Sequence, residues 1–408
     1  MSPWQGITFG VELEFMTPAP SRSMWRSTTS SAAARYKVAK RLAKMTSLPV
    51  GCACNHDSND VCTMCTDVPI ENIFGNAFLI NPPRDRTSMP EYACFLFKRE
   101  YLAGLNDLNA IRSWPAVEVS TPVFGQNELA SGLATMKTFF SAMRQMDFNI
   151  TADESCGMHV HVGVEQGMTL YLAKRIATLA ALLEMTLIIP LIAPPRWTSR
   201  YAVPIYDGSQ ASIENVRAGK AADVKAFRQH LPRRSSVSPS EWNDYKPKAL
   251  YGMLKNIWFC RNLKELSEAL RHEDLDRCGL AISLRDRQGR PARHWGSRNF
   301  EGTPSTVEFR YSQMTFDHVL LRNWVEVVTR IVDLARAEGA EFKRIAGMII
   351  TLNDEAEFNG SAAWKSLLQH VLKLGHRIPD WEAQLAKFER GEYISHLDNK
   401  LLLQPENE

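Results

Sequence analysis

The sequence predicts an α+β fold, a mainly antiparallel sheet with helices on one face and a site on the other. Two observations carry that expectation. Three separated peptides, GVELEF, CGMHVHVG and TVEFR, alternate apolar with polar residues as half-buried strands do, and helical patterns fall between them in mixed order. Continuously apolar strands in regular βαβ succession, the mark of a parallel doubly wound sheet, are not found.

In the first peptide Ile7, Phe9, Val11, Leu13 and Phe15 alternate with Thr8, Gly10, Glu12 and Glu14, so a period of two sets both carboxylates opposite an apolar stripe. Ser31 to Met45 then reads as a helix with Ala34, Val38, Leu42 and Met45 on one face and Arg35, Lys37, Lys40, Arg41 and Lys44 on a solvated one. Residues 50 to 90, punctuated by Cys, Asn, Asp and Pro, read as a loop-rich insertion. Strands follow at Tyr92 to Arg99 and Ala116 to Val123, the second bringing Glu118 and Ser120 to its polar side. Asn127 caps a helix bearing Leu129, Leu133, Met136, Phe140 and Met143, which leads to the histidine strand, where Val160 and Val162 oppose His159 and His161.

Thr169 caps an apolar helix reaching Leu191, and Glu184 inside it calls for a structural ion pair if buried. With Glu184 and Pro190 in its run, this helix suits a protein core better than a membrane. Leu263, Leu266 and Leu270 mark another amphipathic helix. The third polar strand follows the basic stretch LRDRQGRPARHWGSRN and sets Val307 and Phe309 opposite Glu308 and Arg310. Asp317 caps a helix through Leu334, and residues 341–408 read as a C-terminal helical extension of a domain spanning 1–340.

The chain has 408 residues, 23% charged, with a formal net charge of +3, which gives no general case for a nucleic-acid or membrane partner. The first strand begins almost at once, so the expectation is a cytoplasmic protein without a targeting segment. Neither the Walker phosphate loop nor the dinucleotide glycine fingerprint is present.

Carboxylates are hard ligands for magnesium or manganese, ions that commonly keep waters or take phosphate oxygens. Glu12, Glu14, Glu118 and Glu308 with the histidine pair form such a donor set, and Arg310 suits a phosphoryl group. Taken singly, each pair also fits a solvated strand face or a surface ion pair. Cys52, Cys54, Cys62 and Cys65, with His56 among them, offer a structural zinc site as an alternative to free thiols, although only Cys62 and Cys65 have Cys-x-x-Cys spacing.

GVELEF, VEVSTP at 117–122, CGMHVHVG and TVEFR occur in the order seen in the amidoligases of the glutamine-synthetase-like carboxylate-amine ligase superfamily, and the resemblance spans most of residues 6–335. It implies a curved catalytic sheet lining a site for ATP and two divalent ions, where a carboxylate is activated as an acyl phosphate and captured by an amine. By that resemblance Glu12, His159 and Glu308 hold the ion on the ATP phosphates, while Glu14 and Glu118 hold the second. His161 faces the phosphates, and Arg310 stabilises the phosphoryl group in flight. Arg196, Arg200 and Arg298 are implied phosphate or carboxylate contacts. The chain departs from the family where relatives carry a segment like HEGTLD. Here YSQMTFD keeps the aspartate, Asp317, and loses the acidic and glycine positions.

Two other readings use the same residues: a metal-dependent hydrolase built on His-x-His and carboxylates, and a non-catalytic binding protein. The implied partners are a small-molecule or peptide carboxylate and an amine. Their identities and the oligomeric state are left open.

Overall fold

The computed structural model of the chain describes residues 4–17, 30–54, 68–83, 90–100, 115–146, 150–213, 221–232, 246–272, 274, 276–291 and 299–394. Its strands are β1 Ile7–Met16, β2 Val50–Ala53, β3 Ile73–Phe74, β4 Ala77–Asn81, β5 Phe95–Arg99, β6 Ala116–Ser120, β7 Gly157–Val164, β8 Leu280–Ser283 and β9 Thr306–Gln313. They form an open, mostly antiparallel sheet in the order β3-β4-β2-β5-β6-β1-β7-β9-β8, with β2 and β5 parallel. The fold is a mixed α and β one with many helices, and none among the described residues is long and apolar enough to cross a membrane.

The chain divides into two units, and the boundary passes through β1 after Phe9 and through β7 after His159. The N-terminal unit contains Gly10–His159 and Gln313–Arg322. Alternation along its strands has the expected result: Val11, Leu13 and Phe15 of β1 and Val117 and Val119 of β6 are at most 1% exposed. The apolar face is covered by the Ala134–Arg144 helix through a chain of rings. Phe95 stacks on Phe139 at 4.7 Å, and Phe140 meets Phe316 edge-on at 5.3 Å. Each such phenylalanine contributes about 1.5–3 kcal/mol by leaving water, so this helix and the polar sheet face behind it are fixed together.

Three features of this unit differ from the sequence expectation. Residues 50–90, read as a loop-rich insertion, supply β2, β3 and β4, and the short runs of β2 and β4 are too uniformly buried to alternate. The helix read from Asn127 onward is two helices, Gln126–Ala130 and Ala134–Arg144, separated by left-handed Gly132 and Leu133. Glu128 heals the break, its carboxylate accepting from Thr135 N at 2.7 Å and Met136 N at 3.3 Å. Arg35, expected in solvent, is 1% exposed and donates to Ser31 Oγ and the Ala53 carbonyl.

The C-terminal unit contains Met1–Phe9, Val160–Ser312 and Asn323–Gly391. Its helices include Leu170–Leu183, Lys246–Phe259, Leu263–Ala269, Gly339–Phe358 and Ile378–Glu389, with Trp258, Trp324 and Trp381 buried among them. Thr169 caps as expected, its hydroxyl accepting from Leu172 N at 3.2 Å. In the N-terminal unit Asp317 does the same for the start of the His318–Ala335 helix, accepting from Val319 N at 2.8 Å and Leu320 N at 3.1 Å. The apolar helix expected to run unbroken to Leu191 passes through a π-helical turn, Glu184–Ile188, before an α-helical end at Ile189–Leu191. Asn323–Gly391 lies within this unit.

Candidate functional site

In the N-terminal unit antiparallel register turns sequence alternation into a cluster. Glu14 of β1 lies opposite Glu118 of β6, which lies opposite Lys98 of β5, and in the next row Glu12 lies opposite Ser120. Opposed residues share a face, so three carboxylates and one ammonium stand together. Lys98 Nζ is 2.5 Å from Glu118 Oε1 and 3.5 Å from Glu12 Oε1, and Ser120 Oγ lies 3.0 Å and 3.4 Å from the same two oxygens. Burial and then Glu12 push the Glu118 carboxyl well above the usual carboxylate range, against the pull of Lys98. Burial works against the Lys98 ammonium, yet Glu118 and Glu12 outweigh it and raise the group overall.

Glu14 is the most enclosed of the three. Its Oε2 accepts from Gly157 N at 2.7 Å, and its Oε1 faces His159 Nδ1 at 3.5 Å. Glu12 Oε2 lies 3.9 Å from the same nitrogen. A carboxylate behind an imidazole fixes ring orientation. Gly157 makes room for this, because a Cβ there would stand 2.3 Å from His159 Nε2.

In the C-terminal unit β9 carries the complementary chemistry. Glu308 is fully buried and accepts from Arg277 Nη1 at 2.8 Å, from Ser283 Oγ at 3.0 Å and from Arg310 Nη1. Two guanidiniums on one carboxylate leave an excess of positive charge, a setting suited to an oxyanion. His161 Nδ1 meets Thr306 Oγ1 at 3.1 Å, and its Nε2 is turned toward Glu308 Oε1 at 3.9 Å. The imidazole beside Glu308 within this unit is therefore His161.

Other predicted residues fall elsewhere. Arg196, expected at phosphate, is fully buried and donates from Nε to the Tyr311 carbonyl at 3.2 Å and from Nη2 to the Arg310 carbonyl at 2.8 Å. These bonds make it a strut under β9 instead of a phosphate contact. Arg200 is exposed and lies against Tyr201, its Nη2 donating to the phenol at 2.7 Å. Arg298 lies outside the described residues. Of the cysteine set, Cys52 and Cys54 are buried and in no disulfide, and Cys62, Cys65 and His56 lie outside the described residues.

Glu184 is buried, but the expected ion pair is replaced by neutral donors. It accepts from Ile205 N at 2.7 Å, Tyr206 N at 2.8 Å and Tyr311 Oη at 2.5 Å, and burial pushes its carboxyl up to about 7. Lys98 and Arg277 were invisible to sequence reading because each is recruited by cross-strand or loop contact. Their only local sign is a basic residue next to apolar positions. Three histidines open to the hydrolase reading are engaged elsewhere. His230 packs on Trp258 at 4.5 Å, His272 is 3.6 Å from Asp274, and His318 lies 3.1 Å from the Leu133 carbonyl.

The fold is thus a helix-packed, mostly antiparallel sheet with titratable residues concentrated on β1, β5, β6, β7 and β9. No family model matches the sequence, and no curated protein shows significant similarity to it.

Proposed function

We propose that this protein is an ATP-dependent carboxylate-amine ligase of the glutamine-synthetase-like type, joining a carboxylate to an amine through an acyl phosphate and releasing ADP and phosphate. The observation that carries the reading is the gathering of Glu12, Glu14 and Glu118 in cross-strand register against the single ammonium of Lys98. Carboxylates held together at a cost in repulsion and desolvation call for a cation. Further support comes from the four motifs occurring in the order of the amidoligases, and from the arginine-rich setting of Glu308 on β9.

In this reading a magnesium or manganese ion, when bound, neutralises and orients the phosphates of ATP. Within the C-terminal unit its proposed donors are His161 and Glu308. His161 takes the ligand role first given to His159, because Thr306 accounts for its Nδ1 and Nε2 is the nitrogen turned to Glu308. His159, backed by Glu14, orients the carboxylate face. Arg310 and Arg277 meet the charge that develops on the transferred phosphoryl group, and Glu308 holds both guanidiniums in place beforehand.

The test is incubation with ATP, magnesium or manganese, and pooled amino and carboxylic acids, with hydroxylamine to trap an acyl phosphate. Acceptor-dependent ADP and hydroxamate are expected. Release of AMP, or no nucleotide turnover across broad acceptor pools, would refute the ligase reading.

A further inference from the structure

The resemblance behind the ligase reading implies two divalent ions, and the residues of the N-terminal unit do not fit the second. Glu14 and Glu118 are its implied ligands. Glu14 is already engaged through both oxygens, accepting from Gly157 N at 2.7 Å and facing His159 Nδ1 at 3.5 Å. Glu118 Oε1 carries the Lys98 ammonium at 2.5 Å, and the same nitrogen reaches Glu12 at 3.5 Å. We infer that the Lys98 ammonium stands in place of the second ion, so that this protein takes a single divalent cation beside a built-in monovalent one.

The geometry at Glu118 favours that arrangement, because the Lys98 ammonium lies within contact distance of two of the three carboxylates. A second divalent ion would have to share the Glu118 carboxylate with an ammonium already in contact with it, and like charges at that spacing repel strongly in a partly buried setting.

Lys98 is also placed by the fold and does not depend on a chance rotamer for its position along the sheet. Cross-strand register sets it directly opposite Glu118, while Phe95 and Phe97 on the other face of β5 are fully buried and hold the strand in place. The chemical consequence is specific. An ammonium attracts and orients an acidic group and donates hydrogen bonds, but it does not act as a Lewis acid. A carboxylate acceptor would therefore be held by charge at Lys98 instead of being bound to metal.

This inference rests on the ligase reading for the number of ions expected, and its test separates the two. Manganese is titrated into the full-length protein without nucleotide, and bound ion is counted from the loss of the free-ion signal in electron paramagnetic resonance. One tight ion per chain is expected in the wild type and in Lys98→Arg. Two are expected in Lys98→Met, and one again in Lys98→Met combined with Glu118→Gln, with thermal melting confirming that each variant is folded. Two tight ions in the wild type, or only one in folded Lys98→Met, would overturn the role of Lys98. If ADP release still depended on acceptor, that result would leave the ligase reading standing. No tight ion in the wild type would overturn the one-ion assignment, and with it the metal half of the ligase reading.

Discussion

Glu308 and Glu184 are both fully buried carboxylates of the C-terminal unit, and β9 serves both, yet the fold treats them in opposite ways. Glu308 belongs to the polar face of β9 and is matched by two guanidiniums. Glu184 is reached from the other face by Tyr311 and is given only a phenol and two backbone amides. Burying an acid among neutral donors lets it keep a proton near neutrality, whereas two arginines supply the charge that an ionised acid needs. The first arrangement joins segments of the fold. The second gathers two guanidiniums on one carboxylate, the cations that the proposed reaction calls for.

The comparison breaks most readily at Glu308. In Glu308→Gln both arginines lose their counter-charge, so turnover is expected to fall at least about a hundredfold, as for loss of an electrostatic catalytic group. Stability should fall by about 2 kcal/mol, the low side for a broken buried pair because Arg277 is partly exposed. Steady-state ADP release and urea unfolding check the two effects. Near-wild-type turnover would show that Glu308 does not hold the two arginines in the role proposed for them.

Glu184→Gln sharpens the contrast through pH. A carboxyl raised from 4.5 to about 7 holds its proton more firmly in the folded state than in the unfolded one. Its contribution to stability is therefore fully present below about 4.5 and is lost as the pH rises through about 7, with an upper limit of about 1.4 kcal/mol per pH unit. The Gln variant should lose this slope, so that the wild-type-minus-variant difference in unfolding free energy falls as the pH rises from 4.5 to 7. Parallel profiles would mean that Glu184 does not titrate in that window.

The smallest effect is expected at Gly279, where a Cβ would stand 2.3 Å from the Tyr311 ring. Gly279→Ala should cost about 1–3 kcal/mol, as overpacking does. Because Tyr311 is the link to Glu184, the same substitution should also weaken the pH slope. A stability loss with an unchanged slope would separate the ring's packing from its hydrogen bond.

Much of the sheet was legible because β1, β6, β7 and β9 alternate apolar with polar residues, and a period of two survives in the sequence wherever an apolar face backs a polar one. The caps at Thr169 and Asp317 were legible for a similarly local reason, since a side-chain oxygen accepts from amides two or three residues on. β2 and β4 were not, because Val50, Cys52, Phe78 and Leu79 are all buried and short runs of this kind have no polar phase. The candidate site was legible one strand at a time. Which residues face each other depends on register, and register brings in Lys98 from a strand whose sequence, FLFKR, gives no reason to connect it with Glu118. Arg196 was misread because a guanidinium satisfied by backbone carbonyls looks, in sequence, like one waiting for an anion.

The π-helical turn at Glu184–Ile188 accommodates one residue more than an α-helical turn would. Since each α-helical residue advances about 100° around the axis, the residues beyond the turn face a direction displaced by about that angle from the one set by Leu170–Leu183. The segment is therefore one rod with two rotational phases. An apolar run read as a single stripe is in fact two stripes joined at a carboxylate, and the side chain at the joint is the one that ties the rod to β9.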